Sequence, residues 1–407
     1  MISYSDHQCA LNSFHSSKFR NQDVVACSQE ACGFRFGWFN ATTCRPRGKR
    51  SSTTRALVTI TRGELWNAVK LLSLTWAVSK EENTAEDGDS AVLENASSTA
   101  SLTSSILQYR TINGRAYQSE RGNPDGEAWL SRLTVRRGPI DDTGQEAMDI
   151  NHHVLTLLLG DKLHLAPVPD DIQTAVDIGT GTGKYLIRFA DKFPNASVIG
   201  TDLAPIQPGW IPPNLEFQIE DCTQQWTFQP NSFDYIHMRW LVGSIADWKS
   251  LFKESYKCLK PGGYIESYEP SSRVESDDGK VLPGSALSQW EKFFVEGGRK
   301  IGRPFTIFEE NIQREGMREA GFVNIEERDF KNPVGGWPKD PKQRSAGQYM
   351  QAAFEQDAQG TVLHMATALG WTEEEVTVFI SHFRHEIRSP KIHSYFRQKV
   401  VWGRKPL

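Results

Sequence analysis

The chain has 407 residues, 24% of them charged and 38% apolar, with a formal net charge of −4. That length can bury a core without disulfide or metal staples, and the charge balance excludes a global electrostatic pull toward nucleic acid. Six irregularly spaced cysteines fit a reduced compartment better than a disulfide framework.

Four of those cysteines, Cys9, Cys27, Cys32 and Cys44, precede any domain-like pattern. No histidine pair stands at zinc-finger distance, so they read as free thiols rather than a metal site. The polar start, MISYSDHQCALNSF, has no apolar centre for a secretory signal. The most apolar early stretch, residues 65–78, is broken by Asn67 and Lys70. It falls short of the ~20 residues of a membrane span. The chain therefore reads as intracellular and soluble, with no membrane partner and no direct nucleic-acid partner. Residues 1–103 read as a poorly ordered extension. Residues 45–50 (RPRGKR) are a solvated basic loop or a nuclear localisation signal, and residues 81–105 are acidic and then Ser/Thr/Ala-rich. Residues 57–78 could form an amphipathic helix, but no partner for it is evident.

Order is expected from about residue 104. Aromatic and aliphatic anchors flank a turn at Asn113 and Gly114, and residues 126–139 read as an irregular insertion. Residues 149–159 carry apolar side chains at helical spacing and stop at Gly160. Residues 104–170 thus form an N-terminal helical cap. From Thr174 strands and helices alternate, the pattern of a parallel sheet covered on both faces, and residues 171–407 read as one domain with substrate-lid insertions.

The chemistry begins with a β-prone run, TAVDI at 174–178, followed at once by GTGTG at 179–183 and a helical pattern over 184–193. Glycine permits a sharp turn and lets backbone approach a ligand, and the helix start offers unpaired N–H groups. A dinucleotide fingerprint would need its third glycine at position 184, which is Lys184. The pattern is instead D-x-G-x-G-x-G from Asp177 to Gly183. A second strand over 196–202 ends in Asp202, about 20 residues past the loop, where a carboxylate can take ribose hydroxyls. A third, over 214–219, leads into Glu220, Asp221 and Cys222; a fourth, over 232–239, ends beside Trp240.

A helix over 247–259 and a fifth strand after KPGG at 260–263 come next. A helix over 305–320 and a strand over 322–330 follow. Thr372 and Glu375 form a T-x-x-E capping box for a helix toward His385, and residues 395–402 are the last strand. Trp290, Phe293, Phe294, Phe305 and Phe308 read first as core and second as a substrate lid.

The glycine loop and strand ends resemble those of class I methyltransferases. More narrowly, residues 106–125 and 141–407 resemble the fungal methyltransferases grouped with the LaeA-type regulators of secondary metabolism. The residues that carry this are MDINHH at 148–153, GDKLHLAP at 160–167, DLAPIQPGWIPPN at 202–214, GSIADW at 243–248, SDDG at 276–279, Trp337 with Pro338, and VWGRKP at 401–406. Tyr109, Arg110, Asn113, Gly114, Arg115 and Tyr117 complete the set. The resemblance implies an α/β fold: a Rossmann-like doubly wound sheet, mostly parallel, with an antiparallel last strand.

It also implies S-adenosyl-L-methionine as cofactor. Asp177, Gly179, Thr180, Gly181 and Gly183 would cradle its methionine part, and Asp202 with Leu203 its ribose. Asp221 with Cys222 would meet the adenine, Glu220 being the alternative acid, and His237 with Met238 would lie beside the sulfonium. A base is needed only for a hydroxyl or protonated amine acceptor, and the candidates are His237, Glu266, Tyr268 and Glu269. No metal is implied. The implied activity is methylation of a small-molecule acceptor in fungal secondary metabolism. The alternative is a regulator acting through protein partners in a transcription-controlling nuclear complex, so the location is cytoplasmic or nuclear. Lys184 disfavours a nicotinamide-dependent oxidoreductase. Departures from the family pattern are residues 1–103, residues 126–139, and Lys184 with Tyr185 in place of Ile-Trp.

Overall fold

The computed structural model describes residues 109–112, 114–118 and 138–407. The four early cysteines, the basic run at 45–50, the helix expected over 57–78, residues 81–105 and most of 126–139 lie outside the described residues. The first elements are an antiparallel hairpin of β1 (Tyr109–Ile112) and β2 (Arg115–Gln118). Gly114 turns it at φ 74°, a left-handed value that carries no Cβ penalty in glycine. Helix α1 (Asp142–Leu158) starts earlier than the apolar spacing indicates, because Asp141 caps it by accepting from the Gly144 amide at 3.1 Å.

The main sheet has seven strands: β3 (Thr174–Ile178), β4 (Ser197–Asp202), β5 (Leu215–Ile219), β6 (Phe233–Arg239), β7 (Leu259–Ser276), β8 (Val323–Pro333) and β9 (Ser394–Arg404). Their order is β5-β4-β3-β6-β7-β9-β8. Pairings from β5 to β7 are parallel, and β9 runs antiparallel to both β7 and β8. This is the expected class I methyltransferase arrangement, with the last strand inserted against the grain of the sheet. Alternate residues feed opposite faces. Ala175 and Tyr235 pack with Tyr185, Phe189 and Phe193 on one side, and Val176 and Ile236 join the larger core on the other.

The helices after α1 are α2 (Lys184–Lys192), α3 (Trp248–Cys258), α4 (Ala286–Lys300), α5 (Ile312–Ala320), α6 (Pro341–Leu369) and α7 (Glu373–Arg388). The capping box of Thr372 and Glu375 is present with both hydrogen bonds. One expectation needs correction. The helix read from residue 305 begins only at Ile312, after Asn311 in the left-handed region at φ 56°. Phe305 and Ile307 lie in the turns before it, buried in the core. Helix α6 went unread because it buries residues around much of its circumference and so lacks an apolar stripe. It is kinked at Asp357, with φ −145° and ψ 46°. Among the described residues no helix is long and apolar enough to cross a membrane.

Candidate active site

At the carboxyl ends of β3, β4 and β6 lies a cavity of about 500 Å³, where ligands bind in open α/β sheets. Residues 179–182 form one lip. Gly179, Gly181 and Gly183 all take positive φ, between 64° and 76°. A Cβ on Gly179 would fall 2.4 Å from Leu241 Cδ2 on a left-handed backbone, so the position favours glycine. The Thr180 amide donates to Thr201 O at 2.9 Å. Asp202 accepts from the Gly181 amide at 2.8 Å and from the Ala204 amide at 3.0 Å. Thr182 Oγ1 donates to Asp149 at 2.7 Å, tying the loop to α1.

The next wall follows β5. Glu220 accepts from the amide and hydroxyl of Thr227 at 2.8 and 3.0 Å, and Asp221 from those of Thr223 at 2.9 and 2.7 Å. These bonds fix both acids at the cavity edge. Cys222 also lines it, and burial pushes its thiol up to about 12, which removes it as a thiolate nucleophile. The opposite wall is apolar: Trp290 of α4, Met350 and Phe354 of α6, and Phe396 of β9. Trp290 stacks on Phe383 with centroids 4.4 Å apart. It thus serves both as core and as cavity wall, whereas Phe293, Phe294, Phe305 and Phe308 do not line the cavity.

Of the expected cofactor residues, Gly179, Thr180, Gly181, Asp202, Leu203, Asp221 and Cys222 border the cavity; Asp177, Gly183, His237 and Met238 do not. His237 Nδ1 is 2.6 Å from Asp177 Oδ1, and the imidazole stacks on Tyr185 with centroids 3.9 Å apart. The two are 2% and 3% exposed. Met238 is fully buried in the main core. Gly183 caps α2, where a Cβ would meet the Phe217 ring at 2.6 Å.

None of the four candidate bases lines the cavity. Glu266 is wholly buried and accepts from the amides of Leu165 and Ala166 at 2.8 and 2.5 Å; burial pushes it up to about 7. Tyr268 packs with Leu155 and Val400. Glu269 accepts from the amides of Leu241 and Val242, each at 3.0 Å, and so shapes the loop after β6.

The structure adds cavity residues that the sequence reading did not single out as site residues. Asn151 and His152 come from α1, Arg239 ends β6, Arg303 precedes α5, and Gln398 lies on β9. Asn151 and His152 belong to the MDINHH motif, and that placement beside the glycine loop was the available signal. Arg303 and Gln398 reach the cavity through tertiary packing and carry no local signal. Among the described residues Thr180 Oγ1, Asn151 Oδ1 and His152 Nε2 have no hydrogen-bond partner. No cluster of three or more His, Cys, Asp or Glu that could hold a metal occurs among the described residues.

A methyltransferase domain family model matches residues 150–327, from α1 to the start of β8. Methyltransferase pytC of Aspergillus terreus is 35% identical over 322 residues, covering 79% of this chain and 95% of its own. The chain belongs to the fungal LaeA-like methyltransferase family. It is 34% identical over 308 residues to the secondary metabolism regulator LAE1 of Cochliobolus heterostrophus, covering 73% of this chain and 99% of that one. The probable methyltransferase tdiE of Emericella nidulans is 31% identical over 268 residues, covering 65% and 83%. Family membership, sheet order and the glycine loop together make this chain a methyltransferase.

Proposed function

We propose that this family member moves the methyl group of S-adenosyl-L-methionine to a small-molecule acceptor of fungal secondary metabolism, both being held in the one cavity. The supporting observation is that the cavity joins two kinds of wall. The glycine loop with Asp202 and Asp221 suits a nucleoside and its amino-acid tail, and Trp290, Phe354 and Phe396 suit an apolar acceptor. Residues 179–181 present backbone to the methionine part, Asp202 accepts from the ribose hydroxyls and Asp221 from the adenine amino group. The orphan polar atoms of Thr180, Asn151 and His152 give that ligand further partners. The cofactor brings a methyl group already activated on a sulfonium. This chain's residues align the acceptor and exclude water.

Calorimetric titration of S-adenosyl-L-methionine into the full chain tests this, with Asp202→Ala as control. Micromolar binding that weakens at least tenfold in the variant is expected. A folded wild-type chain that binds none would overturn the proposal. The 34% identity across nearly all of a secondary metabolism regulator supports a second reading, a regulatory role exerted through protein partners. Deletion of the gene separates the two: one accumulated unmethylated intermediate favours the enzyme, and broad expression changes with nuclear location favour the regulator.

A further inference from the structure

Arg239 at the end of β6 and His152 on α1 both line the cavity, with Arg239 Nη2 3.0 Å from His152 Nδ1. A guanidinium carries donors only, so Nδ1 must be the acceptor, and the ring's single proton sits on Nε2. Burial, reinforced by the Arg239 charge, pulls the imidazole down to about 3, so the ring is neutral at ordinary pH. His152 is only 9% exposed, and its Nε2 has no partner among the described residues. This cavity-lining residue therefore carries an unpaired N–H donor, and its one available lone pair, on Nδ1, is engaged by Arg239.

Arg239 is also short of a counter-charge. Among the described residues no carboxylate oxygen lies within 4.0 Å of it. Its other close contact is the Tyr185 ring, 4.9 Å from the guanidinium carbon to the centroid. Asp177, on the neighbouring strand, is engaged by His237. A partly buried cation whose hydrogen bond goes to a neutral ring rather than to a carboxylate, and a buried donor with no acceptor, both on one cavity, are costly unless a ligand completes them.

We propose that Arg239 and His152 form an oxyanion subsite that receives a carboxylate or enolate oxygen of a ligand in the cavity. This deepens the methyl-transfer reading and rests on it. The oxygen has two sources of the same chemistry: the methionine carboxylate of the cofactor, or an acidic oxygen of the acceptor. Arg239 holds the His152 tautomer and supplies charge, and His152 adds a directed hydrogen bond.

The test is calorimetry on the full chain with three probes: S-adenosyl-L-methionine, its decarboxylated analogue, and benzoate added to protein saturated with S-adenosylhomocysteine. If the subsite serves the cofactor, wild type prefers the intact compound over the decarboxylated one by about 10- to 100-fold. Arg239→Met erases that ratio, Arg239→Lys keeps part of it, and His152→Gln, which retains an N–H at the ε position, keeps more than His152→Leu. If wild type does not discriminate but the complex binds benzoate, and Arg239→Met abolishes this, the subsite serves the acceptor. Absence of both effects in wild type overturns the proposal, as does a folded Arg239→Met protein in which both persist. Should Arg239→Met not fold, the Arg239→Lys and His152→Leu ratios decide in the same way. If folded wild type binds neither sulfonium compound, the methyl-transfer reading falls instead, and benzoate binding to the free chain still judges the pair.

Discussion

His237 and Asp177 face each other across the paired strands β6 and β3, Nδ1 to Oδ1 at 2.6 Å, in a site closed off by the Tyr185 ring. The acid that opens the glycine motif thus pairs with a histidine of the neighbouring strand. The pair braces the strand ends from which the loop springs. It is a positioning device, and its loss falls first on stability.

His237→Ala leaves the Asp177 carboxylate buried without its donor, at a cost of about 3 kcal/mol in unfolding free energy. Urea denaturation measures this. Methyl transfer per folded molecule should fall less than tenfold. A variant as stable as wild type but inactive would restore His237 to the chemistry.

Gly179→Ala should act in the opposite way. The position has φ +69°, and a Cβ there meets Leu241 Cδ2 at 2.4 Å. The left-handed backbone costs about 1–2 kcal/mol for alanine, and the crowding distorts a loop whose shape is the binding site. Affinity for S-adenosyl-L-methionine should fall at least tenfold while the unfolding midpoint moves by only a few degrees. Equal affinity in the variant would show that the loop does not contact the ligand.

A buried carboxyl and three buried histidines set opposite pH slopes. Glu266 is raised by burial to about 7 in the fold, above its ordinary value. A carboxyl with a raised folded pKa contributes stability below its unfolded pKa and loses it as pH rises through about 7. His152, His164 and His237 are all pulled down by burial, to about 3 for His152 and about 4 for His164. Their contribution is complete above the unfolded histidine value of ~6.5 and is lost as pH falls below it. Glu266→Gln should therefore be close to neutral at pH 4.5 and stabilising relative to wild type at pH 8, by roughly 2 kcal/mol. Urea midpoints of both proteins across that range check it. A difference that does not grow with pH would mean Glu266 is ionised in the native protein throughout.

Much of this was legible because local sequence encodes it. The D-x-G-x-G-x-G turn, the strand ending in Asp202 and the T-x-x-E box each require particular residues within a few positions. The doubly wound, mostly parallel sheet followed from the family resemblance, and β9 lies antiparallel as that implied. The side toward which a strand-end residue faces was not legible. His237 and Met238 lie next to each other at the end of β6, yet one packs on Tyr185 and the other enters the main core. Glu266, Tyr268 and Glu269 read as candidate bases, but backbone amides and packing from distant segments engage them. The acceptor wall combines α4, α6 and β9, and no short motif records a surface assembled from such separate stretches.

Arg115 links three stretches far apart in the chain, β2, the start of α1 and the kink of α6. From β2 it donates to Asp141, the cap of α1, at 2.7 Å through Nε and again at 2.7 Å through Nη2. It also donates to Asp357, at the kink of α6, at 2.6 and 3.0 Å. Asp357 lines the cavity and is only 4% exposed, so it depends on this cation. Removing Arg115 leaves a buried carboxylate uncompensated, whereas neutralising both partners removes the charge along with the bond. Arg115→Met should thus cost about 2–4 kcal/mol, and adding Asp357→Asn should recover part of it, with a coupling of about 1–3 kcal/mol. The same substitution should raise amide exchange at the start of α1 and around Asp357, loosening the cavity wall they share. Additive costs in the double variant would mean that the two residues are neighbours without being partners, and that packing rather than charge fixes the kink.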